Sequence, residues 1–99
     1  MTVRLVTFRK GGTRDDMVEA AKPLKSWWTS HGVQDMTLSR VIAGSDANHW
    51  VAVVTWNDWE AYGRGMAAAM ADPEFQSILA AFDAFSEVTG RRLLSSIDL

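Results

Sequence analysis

A four-stranded antiparallel sheet with its helices on one face, in the order β, α, β, β, α, β, is the architecture that this chain of 99 residues predicts. Three observations carry it. Two segments, at 3–8 and 49–56, hold the mostly apolar, β-branched runs of central strands covered on both faces. A third, at 35–44, alternates with period two, as a half-exposed strand does. Stretches with apolar residues three and four apart follow the first and the last of these strands, as amphipathic helices should.

The run from Thr2 to Lys10 puts Val3, Leu5 and Thr7 on one face of the first strand and Arg4, Val6 and Phe8 on the other. Gly11 and Gly12 end it. Thr13, with Asp15 and Asp16 behind it, offers an N-cap and negative charge at the positive end of a helix dipole. Met17, Ala20 or Ala21, Leu24, Trp28 and His31 form the buried stripe of the first helix, and Gly32 is its C′ residue. Pro23 lies past the first turn, where it removes a hydrogen bond, so a bend or a start later than Asp16 is expected.

From Asp35 to Gly44, Met36, Leu38, Arg40 and Ile42 alternate against Thr37, Ser39 and Val41, which reads as an edge strand. The turn-rich SDAN at 45–48 leads into HWVAVVTW at 49–56, completing a hairpin. Asn57 or Asp58 caps the second helix, whose stripe is Trp59, Tyr62, Met66 and Met70, interrupted by Gly63 and Gly65. Asp72-Pro73-Glu74 is a stop and restart, because the residue before a proline avoids the α region and proline suits a first helical turn. Phe75, Ile78, Leu79, Phe82, Phe85 and Val88 mark a helix that runs to Gly90, and Arg91 to Leu99 supplies the last strand.

Two right-handed βαβ units joined by a hairpin are the ferredoxin-like α+β fold, with one sheet face left bare. If Val3, Leu5, Val51 and Val53 serve the helices, the bare face shows Val6, Phe8, Trp50, Val54 and Trp56. That is too much apolar surface to leave wet, and a second copy across a two-fold axis is the simplest cover. A homodimer is expected.

The totals fit one soluble domain spanning residues 1–99. The net charge of −2 and the mixed signs lack the positive footprint that phosphate backbones demand, so nucleic acid is not expected as a partner. The RNA-binding version of this topology starts its third strand with a basic residue and Gly and sets aromatics two apart; Trp50 and Trp56 are six apart. Zero Cys removes thiolate chemistry and disulfides and suits a reducing compartment. The start, MTVRLVTFRKGG, has no apolar leader core, and no run is long enough for a membrane span, so a cytoplasmic protein with no membrane partner is expected.

On HG and MTLSR within 31–40, WVAVVTWNDWEAY at 50–62 and ADPEFQSILAAF at 71–82, nearly the whole chain resembles the dimeric α+β barrel superfamily. That group holds the antibiotic-biosynthesis-monooxygenase-like and NIPSNAP-like domains. The resemblance implies a homodimer and a scaffold that serves monooxygenases, haem-degrading enzymes, isomerases, cyclases and members of unassigned role. Where the monooxygenase-like members carry a His or Trp before the Ser-Pro step, MAAAMAD stands here. Where the haem-degrading ones carry Asn, Trp and His, the first strand has no Asn, and Ala69 and Leu79 lie near the other two positions. These departures argue against haem, and no cofactor is expected.

No catalytic set, phosphate loop or dinucleotide fingerprint is legible. Arg4, between apolar neighbours, calls for an ion pair or a ligand anion. Arg40 reads as a solvated edge residue. His31 suits a helix C-terminus as a cap, and with His49 it makes no metal site. Five Trp is a high number, and Trp28, Trp50, Trp56, Trp59, Tyr62, Met66 and Met70 are candidates to line a cleft between sheet and helices, with Gly63 and Gly65 leaving room. Two functions compete: a dimeric domain that binds a small apolar or aromatic molecule in that cleft, and a cofactor-independent enzyme acting on an aromatic substrate with Arg4 or His31 as polar handle.

Overall fold

The computed structural model describes residues 1–99. The chain folds as β1 (Val3–Lys10), α1 (Arg14–Ser30), β2 (Asp35–Arg40), β3 (Trp50–Trp56), α2 (Trp59–Ala71), α3 (Pro73–Asp83) and β4 (Glu87–Ser95). The sheet is antiparallel throughout, in the order β2-β3-β1-β4, so β1 and β3 are central and β2 is an edge strand as expected.

Helix ends follow their caps. The Thr13 hydroxyl accepts from Asp16 N–H at 3.1 Å while the Asp16 carboxylate accepts from Thr13 N–H at 3.2 Å, a reciprocal box that starts α1 at Arg14. Asp58 caps α2 by accepting from Ala61 N–H at 2.8 Å. Asp72 ends α2 and caps α3 through Glu74 N–H at 2.9 Å, with Pro73 in the first turn. Gly32 sits at φ +85°, closing α1. Pro23 neither delays nor breaks α1. Both it and Glu19, whose carbonyl it leaves free, are exposed, so water can take the missing donor's place.

Four expectations are corrected. The helix opened by Pro73 stops at Asp83 instead of running to Gly90, because the Phe82 carbonyl collects the Phe85 and Ser86 N–H groups and the Ser86 hydroxyl. Val88 and Gly90 belong to β4, with a bulge opposite Phe8 and Arg9. The second strand ends at Arg40, beyond which Val41 and Asn48 bond across a loop that leaves Ile42 86% exposed.

The third correction concerns the two faces. Val3 pairs with Trp56, Leu5 with Val54, Thr7 with Ala52 and Arg9 with Trp50. Trp50, Val54 and Trp56 therefore face the helices, and Val51 and Val53 join Val6 and Phe8 on the bare face, the reverse of the expected assignment for β3. A strand apolar at nearly every position carries no alternation from which to read its parity.

The fourth concerns Arg4, which is exposed on the bare face and has no ion pair within the chain. The buried arginine is Arg9, at 7% exposure. The core beneath the helices joins Met17, Leu24, Trp27, Trp28, Met36, Trp56, Phe75 and Phe82, with Trp28 and Trp56 edge to face at 5.3 Å.

Candidate functional site

Between the sheet and the helices lies a cavity of about 370 Å³. Its floor is the helix-facing row of the strands: Leu5, Thr7 and Arg9 from β1, Trp50, Ala52 and Val54 from β3, Leu38 from β2 and Arg91 from β4. Its walls come from Met17, Leu24 and Trp28 of α1, Tyr62, Met66, Ala69 and Met70 of α2, and Phe75, Gln76, Leu79 and Phe82 of α3. The exposed members of this lining, Met70, Gln76 and Arg91, mark its opening.

Fifteen of the nineteen lining residues are apolar, so the space favours an apolar guest. Its polar groups are few. Arg9 Nη1 donates to Asp83 Oδ1 at 2.9 Å and to Ser86 Oγ at 3.2 Å, and the guanidinium lies 4.9 Å from the centre of the Phe82 ring. Asp83 is largely in water, so this pair is screened and positions Arg9 more than it stabilises the fold.

Asp72 fastens the helices over the cavity. Trp27 Nε1 donates to Asp72 Oδ2 at 2.9 Å, tying α1 to the joint between α2 and α3. The Trp27 indole also stacks on the His31 ring at 3.8 Å, and His31 Nδ1 lies 2.7 Å from the Trp27 carbonyl. The bond from Trp27, the Glu74 N–H and the nearby His31 hold the Asp72 carboxyl below its ordinary value of 3.8. A carboxyl depressed by folding stabilises the native state above its ordinary pKa and loses that contribution as pH falls through the folded value. Asp72→Asn is therefore expected to flatten the acid limb of the stability curve below about pH 4, measured by urea unfolding followed through Trp emission. An unchanged limb would remove the latch from the stability argument.

Of the residues singled out in the sequence, Trp28, Trp50, Tyr62, Met66 and Met70 meet at the cavity. Trp56 lies beneath its wall, fully buried, with Nε1 lacking an acceptor. Trp59 is 46% exposed and touches Tyr62 edge on from outside. His31 caps α1 at the surface, and Arg4 is on the other side of the sheet. Gly65 does not leave open room, since a Cβ there would stand 2.7 Å from Trp56 Nε1. Gly63 faces open space. Sequence reasoning passed over Thr7, Arg9, Gln76 and Arg91, the polar part of the lining. The period-two count from Val3 through Leu5 and Thr7 was the signal that places Arg9 on the cavity face.

No protein-family model matches the chain, and no curated protein matches it either. Solved structures do. SnoaB, a cofactor-independent oxygenase from Streptomyces nogalater, superposes with a TM-score of 0.75 at 20% identity, covering 99% of this chain and 95% of that one. A NIPSNAP family protein of unknown function from Agrobacterium tumefaciens gives 0.67 at 14% identity, over 94% and 86%. A dimeric ferredoxin-like protein of unknown function from Thermobifida fusca gives 0.62 at 10% identity, over 95% and 88%. The chain thus has a ferredoxin-like fold, shared with solved structures that include an antibiotic-biosynthesis-monooxygenase-like protein and a NIPSNAP family protein.

Proposed function

We propose that residues 1–99 act as one domain that pairs into a homodimer and binds a small, mostly apolar aromatic molecule between its sheet and its helices. The observation that carries the binding reading is the cavity. At about 370 Å³ it falls within the span of roughly 300–1,000 Å³ usual for small-molecule sites, and its lining is apolar with a few polar groups. Because Trp28 and Trp50 line it, an aromatic guest is expected to quench Trp emission saturably. A flat response across a panel of aromatic compounds would leave a structural protein.

The pairing is supported by the bare sheet face, where Val6, Phe8, Val51 and Val53 lie with no helix over them, and by the dimeric relative in fold. Light scattering is expected to give twice the 11.0 kDa chain mass, and Val53→Lys to return it to one. A wild-type monomer at micromolar concentration would sink the pairing. No helix is long and apolar enough to cross a membrane, and with no cysteine to oxidise, the cytoplasm is the compartment proposed.

The likeness to SnoaB favours a second reading, oxygenation without a cofactor. One atom of O2 would replace the two hydrogens of an activated CH2 group, and the other would leave with them as water. The cavity lining holds no Asp, Glu or His to act as base, so the substrate would have to ionise by its own acidity beside the arginines. Oxygen uptake above the uncatalysed rate with an electron-rich aromatic ligand would establish this reading. Quenching without uptake would leave the binding one.

A further inference from the structure

The cavity is apolar, yet its charge is one-sided. Arg9 and Arg91 both line it, and no acidic side chain does. The β1–β4 register sets Arg91 opposite Thr7, and Arg9 lies one step further along the same face of β1. The two cations therefore share one end of the floor. Arg9 spends only Nη1 on Asp83 and Ser86, leaving Nε and Nη2 without a protein acceptor. Arg91 makes no ion pair and no side-chain hydrogen bond at all, and it stands at the opening. Asp83 partners Arg9 from outside the lining, so Arg91 is the cation at the opening without a counter-charge, and a guanidinium grips a planar anion through paired N–H bonds.

Resting on the cavity reading above, we propose that the guest is an aromatic organic anion. Its ring system fills the apolar interior, and its carboxylate, sulfonate or phenolate oxygen meets Arg91 at the opening, with Arg9 behind. Arg91 is the residue that selects for the charge. Its exposed side chain makes no ion pair or hydrogen bond within the chain, so its replacement is expected to leave the protein folded.

A pair of probes with one skeleton separates charge from shape: anilinonaphthalene sulfonate and its neutral analogue N-phenylnaphthylamine, each titrated by fluorescence against the full chain. The wild type is expected to bind the sulfonate about tenfold more tightly than the neutral probe, the worth of one charge-assisted contact. Arg91→Gln is expected to erase that preference while leaving the neutral probe's affinity unchanged, and Arg91→Lys to keep part of it. Equal affinities in the wild type, or a preference that survives Arg91→Gln, would overturn the anion inference and leave the apolar cavity standing. If neither probe binds, the cavity reading falls and takes this inference with it.

Discussion

Phe82→Ala is expected to lower folding stability by about 3–5 kcal/mol, the range for deleting a buried aromatic ring. Phe82 is 2% exposed, lies under the Arg9 guanidinium and forms part of the cavity wall. Its loss removes apolar burial, leaves Arg9 without the ring below it, and joins the vacated volume to a space already present. In a domain of this size, whose whole stability is roughly 5–15 kcal/mol, such a loss should be plain in the urea midpoint. The size of the effect also reports on the cavity walls. A cost under about 1.5 kcal/mol would mean that α3 collapses inward to refill the space, and that the cavity is not held open by rigid packing.

Gly65→Ala and Gly63→Ala are expected to move stability in opposite directions although they lie two residues apart on α2. At an exposed position with open space around it, Gly63→Ala should gain about 0.5–1 kcal/mol from helix propensity and reduced backbone freedom in the unfolded chain. The same gain is available at Gly65 and is outweighed. The new methyl would meet Trp56 Nε1 at 2.7 Å and Trp28 Cζ3 at 3.5 Å. Trp56 cannot step aside, since it is fully buried with Trp28 and Tyr62 each edge to face against it at 5.3 and 5.1 Å. Overpacking of this kind costs about 1–3 kcal/mol. If both substitutions stabilise, the close approach of α2 to Trp56 is wrong. Trp56→Phe in the Gly65→Ala background should recover part of the loss, because it removes the clashing edge together with an N–H that has no acceptor.

Much of this fold was legible because the punctuation is local. Thr13 and Asp16, Asp58, Asp72-Pro73 and Gly32 each set a helix end through groups within a few residues of one another, and a sequence displays such neighbours directly. What was hidden depends on pairing between distant strands. The side of β3 that faces the helices follows from Val3 meeting Trp56, a contact across more than fifty positions that no local pattern announces. The end of α3 was obscured because Phe85 and Val88 continue its apolar spacing after the chain has left the helix. The candidate site suffered from a related bias. Aromatic and Met residues drew notice as cleft lining, and five of them do meet there, whereas Arg9 near the end of one strand and Arg91 in the middle of another resemble ordinary solvated charges. Only the register brings those two together on one face.

The two ends of the β2–β3 and β1–α1 connections differ in what presses on them. Gly11 and Gly12, at φ +101° and +80°, have the Phe85 carbonyl and ring where side chains would be, at 2.8 and 2.6 Å. The 41–49 loop carries Gly44 with nothing within 4 Å and leaves Ile42 in water. For anyone wishing to graft a peptide tag, a dye or a second domain into this chain, the molecule offers a seam that is closed and one that is open. Additional sequence at Gly44 can loop away at the modest entropic cost of a longer connection, while the same addition between Gly11 and Gly12 must force the start of α1 away from the end of α3.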